Sequence, residues 1–372
     1  MSPLPYDDED TLFICQASTF GVVPFMRYRV LLLLLLNLFV ASFAWAAPAQ
    51  QNFSDWQVTC NNQNFCVARN TGEHHGLVMT LTRSAGARTD AQLRIELGGS
   101  QTPSAKEPPV APRLLIDGMP LRLEPQHWAM SPWRLITEHA PTISVFLQTI
   151  QNAQAITLKE GQGTISLIGL KAALLFIDAQ QKRVGSETAW IKKGGNPSLS
   201  VPPAPALKGV AVVNPTPTPL TREEMDSLLD YGSMRMNSSQ CSLDPMRREV
   251  RVTALTDDKA LLIVSCEAGA YNTVDLAWLV SRHKPYATKA VRLRLPFTPG
   301  SGNDEMELMN AEFDQKAREL TTLAKGRGLA DCGIQTRWRF DGQRFRLVRY
   351  AEEPSCDNWH GPDAWPTLWI TR

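Results

Sequence analysis

The chain has almost no net charge: 38 Lys and Arg stand against 37 Asp and Glu over 372 residues, a formal balance of +1. A nucleic-acid binder or a protein drawn to an anionic surface concentrates one sign of charge, and this balance points to neither. Histidine is scarce, with six in all, at positions 74, 75, 127, 139, 283 and 360. No H-E-x-x-H or H-x-H motif sets two of them on one metal, and the adjacent His74 and His75 would face opposite sides of a strand. Between Glu73 and Gly76, they are expected in a solvated turn. The nucleophile elbow G-x-S-x-G is missing as well. Ser281 and Lys284 satisfy S-x-x-K, but that match needs a helix, whereas VDLAWLV before it alternates like a strand and Pro285 follows at once. No C-x-x-C occurs, which argues against a zinc knuckle and a thioredoxin-like redox site. No repeat of fixed period runs through the chain.

What is present begins with a leader. From Met26 the chain reads MRYRVLLLLLLNLFVASFAWAAPAQ, where Arg27 and Arg29 precede an apolar run from Val30 to Phe43 and Ala44-Trp45-Ala46 forms an A-x-A exit. This is the pattern of a secretory signal cut after Ala46, so that the mature chain starts at Ala47. An uncleaved anchor from Val30 to Ala47 is the alternative, being just long enough to span a bilayer. Residues 1–25, with Asp7, Asp8, Glu9 and Asp10, are an unusual prelude to a signal, and Met26 as the true initiator explains them most simply. No cysteine follows the apolar run directly, so no lipid anchor is suggested.

Apart from Cys15, which precedes the leader's apolar run, the cysteines are Cys60, Cys66, Cys241, Cys266, Cys332 and Cys356. An even number in an exported chain reads as three disulfides in an oxidising compartment. Proline recurs through VPPAPALKGVAVVNPTPTPLTREE, a composition that favours an extended, semi-rigid spacer. The expected plan is therefore a first domain over 47–200, a linker over 201–220 and a second domain over 221–372. If no disulfide crosses the linker, Cys60 pairs with Cys66. Of the three pairings open to the other four, the sequential ones are favoured by their hairpin-sized loops. Each would restrict the unfolded chain by about 3.5 kcal/mol, against about 2.4 kcal/mol for the short first loop.

Alternation and turn residues predict strands at Trp56–Cys60, Leu77–Arg83, Leu93–Leu97 and Arg113–Leu123, the last broken by Asp117-Gly118. Helical spacing appears at Ile143, Phe146, Leu147 and Ile150, and again at Leu167, Leu170, Leu174 and Ile177. In the second half, Thr221 three residues before Glu224 marks a helix start, with its end expected near Gly232. Strands follow at Glu249–Leu255, Ala260–Cys266, Val274–Arg282 and Ala290–Leu295. Trp338 and Phe340 lead through Asp341-Gly342 to Phe345 and Leu347 as a hairpin. The stretch from Met306 to Ala324 fits either a helix or two strands, and strands are preferred.

W-x-V-x-C…C-V-A at Trp56–Ala68, TISLIGLKAALLFID, TAWIKKG, and GRGLADCG with W-x-F-D-G-Q-R-F-R-L together resemble an uncharacterised family of proteobacterial envelope proteins, catalogued as domain of unknown function 1176. The resemblance covers nearly the whole mature chain and is most specific from Lys325 to Leu347. The first domain is also similar to the invasion-associated locus B proteins in its tryptophan with nearby cysteines and its S-L-x-G-hydrophobic-x-A-A segment at Ser166–Ala173. What the resemblance implies is a Gram-negative periplasmic location, with no catalytic residues to carry over. The terminal CDNWHGPDAWPTLWITR departs from the family in its richness in tryptophan.

Two places are candidates for binding. KGRGLADCG offers Lys325 and Arg327 beside glycines that let backbone N–H groups converge on an anion, although no strand-loop-helix order follows and the glycines read more simply as turns. The aromatic clusters Trp359, His360, Trp365 and Trp369, and His127, Trp128 and Trp133, would stack on sugars or anchor a partner if exposed, and close a core if buried; burial is preferred.

The resulting expectation is a β-rich α+β protein of two disulfide-stapled domains, mainly antiparallel sheet with a few short helices. It is a soluble periplasmic, non-catalytic binding or interaction protein of the cell envelope. Its partner would be an envelope protein or glycan, with no nucleic acid, no cofactor, no metal and no stable membrane insertion once the signal is cut. The alternative is a hydrolase of an envelope polymer whose residues meet only in the fold, with Asp275, Asp304 and Glu307 among the available carboxylates. Mass spectrometry of the exported protein should find Ala47 as its first residue, and peptide mapping without reductant should find three internal disulfides. Free thiols at Cys60 and Cys66 would reopen a redox role.

Overall fold

The computed structural model describes residues 47–71, 76–88, 90–98, 107–159, 163–237 and 241–372; the leader, residues 1–25, His74 and His75 lie outside these. Strands β1 (Ala49–Phe53), β2 (Trp56–Cys60), β3 (Cys66–Asn70), β4 (Leu77–Arg83) and β5 (Ala91–Leu97) run antiparallel in order. After them come β6 (Leu114–Ile116) and β7 (Met119–Pro120), then β8 (Ala129–Met130) and β9 (Arg134–Thr137), of which β9 and then β8 complete the first sheet beyond β5. Asp117-Gly118 turns β6 into β7 with both residues at positive φ, as a two-residue hairpin of the favoured hand requires. Helix α1 (Ala140–Ile150) follows, then β10 (Ala155–Leu158) and β11 (Thr164–Ser166), which join β6 and β7 in a second sheet. Helix α2 (Leu170–Gln180) closes this half. Ile143, Phe146, Leu147 and Ile150 of α1, with Leu170, Leu174 and Ile177 of α2, are buried in one core with Trp56, Val58 and Leu81.

Cys60 and Cys66 face each other across the β2–β3 pair and form the first disulfide. The polar residues between them build the turn: the Asn61 side chain accepts from the N–H groups of Gln63 and Phe65 at 2.9 and 3.1 Å. β2 is buried along its whole length, Gln57 and Thr59 included, because α2 packs on it and the chain's last strand approaches it.

Helix α3 (Arg222–Asn237) opens on the capping box: Thr221 Oγ1 accepts from Glu224 N–H, and the Glu224 carboxylate accepts from Thr221 N–H. The helix does not stop near Gly232. A Cβ there would lie 2.5 Å from Val250 Cγ1 and 2.8 Å from Leu262 Cδ1, so the glycine lets the helix sit close against the sheet and the chain runs on to Asn237.

That sheet is β12 (Val250–Ala254), β13 (Lys259–Ala268), β14 (Thr273–Ser281) and β15 (Thr288–Ala290). The run expected from Ala290 to Leu295 is interrupted, ending β15 and resuming as β16 (Leu293–Arg294) against β17 (Glu305–Met306). β18 (Leu308–Met309) pairs with β14. The ambiguous stretch is strand: β19 (Glu312–Asp314) turns into β20 (Glu319–Lys325), followed by β21 (Gly333–Phe340), β22 (Phe345–Glu353) and β23 (Thr367–Ile370) in one antiparallel sheet. Cys241–Cys266 and Cys332–Cys356 complete the sequential disulfide set. The chain is thus a β-rich α+β protein, and no described helix is long and apolar enough to cross a membrane.

The described residues belong to one compact unit. Arg69 of β3 and Glu353 of β22, both buried, form an ion pair at 2.6 Å, and the Asn62 side chain exchanges two hydrogen bonds with the Ile370 backbone at 2.9 Å. The proline-rich segment lies along the same seam: Pro205 O accepts from Gln63 Nε2, and Lys208 and Val210 bond to the backbone of Arg372.

A second buried charge holds the end of the first half. Asp178 of α2 is fully buried, its Oδ2 accepting from the N–H groups of Trp190 and Ile191 at 2.8 and 2.9 Å and its Oδ1 from Arg83 at 3.1 Å. The Arg83 guanidinium lies 4.1 Å over the Trp190 ring, and burial, reinforced by Arg183, pulls its pKa down to about 9. Removing one member of such a set strands the others without a counter-charge. Asp178→Ala should therefore lower the unfolding free energy by about 3–5 kcal/mol in a denaturant titration.

Candidate functional site

The glycine loop does not form an open anion cradle. Arg327 Nε donates to Asp331 Oδ1 at 2.8 Å, Nη2 donates to Asp331 Oδ2, and Nη2 also reaches Asn358 Oδ1 at 2.8 Å. That pairing holds the Asp331 carboxyl below the usual range. The glycines serve the chain path: Gly333 has φ +137, and a Cβ on Gly326 would lie 2.7 Å from Cys332 Sγ. Lys325 is fixed through its backbone, which bonds to the Asn272 side chain in both directions. Asp331 is close to Cys332 and Cys356, but both sulfurs are committed to their disulfide.

Trp365, weighed either as an exposed stacking surface or as part of a core, is buried, and its indole N–H donates to His360 O at 3.0 Å. Trp369 is buried too, stacked 5.6 Å from Phe297. Trp359 is half-buried, stacked on His360 at 4.3 Å and seated where Gly98 leaves room; a Cβ there would be 1.8 Å from the indole. His127 and His139 are exposed and stack at 3.8 Å. Ser281 ends β14, and its hydroxyl is used within the turn by the carbonyls of His283 and Pro285 and by Ala287 N–H.

The terminal segment places His360 between two carboxylates. Nδ1 bonds to Asp357 Oδ2, and Nε2 lies 3.9 Å from Glu96 Oε2, an ion-pair distance without a direct hydrogen bond. Asp357 Oδ1 accepts from the N–H groups of Trp359 and His360 at 2.9 and 2.8 Å, so the turn builds its own imidazole partner. Burial opposes the imidazolium, but Asp357 and Glu96 outweigh it and raise the His360 pKa; both carboxyls are correspondingly lowered against their own burial. Among the described residues, neither ring nitrogen is hydrogen-bonded to a hydroxyl or thiol. This is a charge clasp between β5 and the tail.

A different set of residues forms a cavity. At the ends of β12, β13 and β14, where the β13–β14 register slips between Ser265 and Glu267, lies a cavity of about 350 Å³. Bulges of this kind re-aim side chains at a sheet's edge. Asp275 of β14 is buried on its wall, Oδ2 accepting from Ala311 N–H at 2.8 Å and Oδ1 facing Arg251 Nη2 at 3.3 Å. Burial raises its pKa, with Glu249 adding to the rise and the Ala311 N–H and Arg251 opposing it. Arg251 donates to Ala311 O at 2.7 Å and lies 3.9 Å from Glu249. The Ser265 hydroxyl accepts from Glu249 N–H at 2.8 Å. Asn310, left-handed at φ +43, completes the wall with its amide tied to Asn272 and Leu323 O at 2.7 Å. Arg247 and Glu312 stand exposed at the rim.

Asp275 stood among the carboxylates available from the sequence, but nothing there selected it. The signal that marks it is a lone acid in the buried strand VDLAWLV, together with Arg251 at the matching end of β12.

A family profile described as "Protein of unknown function (DUF1176)" matches residues 50–372. The chain is 73% identical over 347 residues to a protein of Escherichia coli (strain K12) named "Uncharacterized protein YpfG", covering 93% of this chain and all of that one. No solved structure matches. The profile bears out the resemblance to the unknown-function family; the likeness to the invasion-associated locus B proteins has no such support.

The clasp makes stability depend on pH in a definite direction. The folded imidazole holds its proton more tightly than the unfolded one, whose value is 6.5, so its contribution is complete below about pH 6.5 and is lost as pH rises through the raised value. Asp357 and Glu96 act oppositely: their contribution is present above their ordinary values of 3.8 and 4.5 and is lost as pH falls through the lowered ones. Melting temperature measured from pH 5 to 9 should decline on the alkaline side, and His360→Gln should flatten that decline.

Proposed function

The chain belongs to the DUF1176 family, and we propose that it is a periplasmic, non-catalytic binding protein of the cell envelope whose ligand sits in the cavity beside Asp275. In this reading residues 221–372 carry the binding domain, residues 47–200 brace it, and 201–220 connect the two. The leader pattern and the three disulfides support export to an oxidising compartment. One observation carries the binding role: Asp275 is locked by Ala311 N–H and Arg251, while the rim charges Arg247 and Glu312 are left for something else to meet. A fixed polar wall with unmatched groups at its mouth suits recognition.

A hydrolase of an envelope polymer is the second reading, favoured by the burial-raised Asp275 beside the exposed Glu249 carboxylate, a difference in environment that acid and base roles use. Against it, the Asp275 carboxylate spends its oxygens on Ala311 N–H and Arg251.

A photo-cross-linker at position 268, in place of the exposed Ala268 on the cavity lining, in tagged protein within its own envelope, should give a discrete covalent adduct identifiable by mass spectrometry. The same group at exposed Leu199 should not give it. Equal labelling from both positions, or none from 268, would remove the cavity as a binding site. Release of fragments from envelope polymers by the purified protein, abolished in Asp275→Asn, would replace binding with hydrolysis.

A further inference from the structure

We infer that the cavity takes a zwitterion, namely an amino acid or short peptide with a free ammonium and a free carboxylate; the inference rests on the binding role just proposed. The cavity brings together two guanidinium groups, Arg247 and Arg251, and three carboxyls, Glu249, Asp275 and Glu312. Their order inward is specific. Glu249, Arg251 and Asp275 already form an alternating chain, with gaps of 3.9 and 3.3 Å, so the wall satisfies most of its own charge.

At the rim the situation differs. Among the described residues the Arg247 guanidinium and the Glu312 carboxylate have no hydrogen-bond or ion-pair partner, and they do not pair with each other within 4.0 Å. Opposite charges on one mouth that stay apart leave a span that a molecule carrying both charges can close, its carboxylate on Arg247 and its ammonium on Glu312. The planar guanidinium suits a carboxylate's two oxygens. A simple anion would meet three carboxyls and a simple cation two guanidiniums, while a neutral sugar would cover charges without matching them. A cavity of about 350 Å³ suits a small molecule and not a folded partner.

Isothermal titration of the exported protein with alanine, lysine, glutamate and alanylalanine tests this, alongside the N-acetylated and C-amidated form of each, glucose and inorganic phosphate. At least one zwitterion should bind, and blocking either end should weaken it about tenfold or more, the loss of one charge-assisted contact. Arg247→Ser and Glu312→Gln should each weaken it similarly without moving the melting temperature, both side chains being exposed. Binding insensitive to blocking or to both substitutions overturns the assignment. Glucose or phosphate bound in place of every zwitterion, and lost in the same variants, overturns the ligand class and leaves the binding role standing. If no probe binds, the assignment falls, and an adduct from position 268 then decides whether the cavity binds anything.

Discussion

The buried ion pair of Arg69 with Glu353 is the constraint on which the meeting of the two halves depends. It joins strands 284 residues apart in sequence, both partners nearly removed from water, and Arg69 further reaches the Ala364 carbonyl. Separating them would leave a guanidinium or a carboxylate buried alone, a cost large enough to make this one register of the halves the accessible one. Burial raises the Glu353 carboxyl even beside Arg69, which shows how dry the seam is. The segment after Glu353 is fixed in turn: Ser355 N–H bonds the same carboxylate, Cys356 is tied to Cys332, and His360, paired with Asp357, comes to rest 3.9 Å from Glu96.

The same logic recurs within each half. Asp178 gathers the backbone of Trp190 and Ile191 with Arg83, so the stretches TISLIGLKAALLFID and TAWIKKG, separate in sequence, meet on one carboxylate. Glu224 performs a double task, capping α3 and pairing with Arg282, whose guanidinium holds its carboxyl down to about 2. Arg282 also donates to the carbonyls of Thr218 and Pro219, which anchors the end of the proline-rich segment. Buried arginines thus do the work of positioning loops that lack ladder hydrogen bonds of their own. The cavity at Asp275 departs from this pattern, since there the charges continue outward to a rim where they stop being matched.

Local chemistry was legible from the sequence. The Asp117-Gly118 turn, the Thr221–Glu224 box, the helical spacing from Ile143 to Ile150, the three sequential disulfides and the β-rich α+β class all follow from residues within a few positions or one hairpin of each other, where propensity and short loops decide. The end of α3 was misread for the converse reason: Gly232 signals a stop locally, but its missing Cβ is used by Val250 and Leu262, which only packing brings near. Trp365 and Arg327 were legible as residue types with binding potential, and the fold spends one on the core and the other on Asp331. The pairs that matter most, Arg69 with Glu353, Glu96 with His360 and Asp275 with Arg251, were decided by tertiary structure alone. An ion pair depends on distance in space, and sequence spacing carries no trace of which distant charges will be dried together.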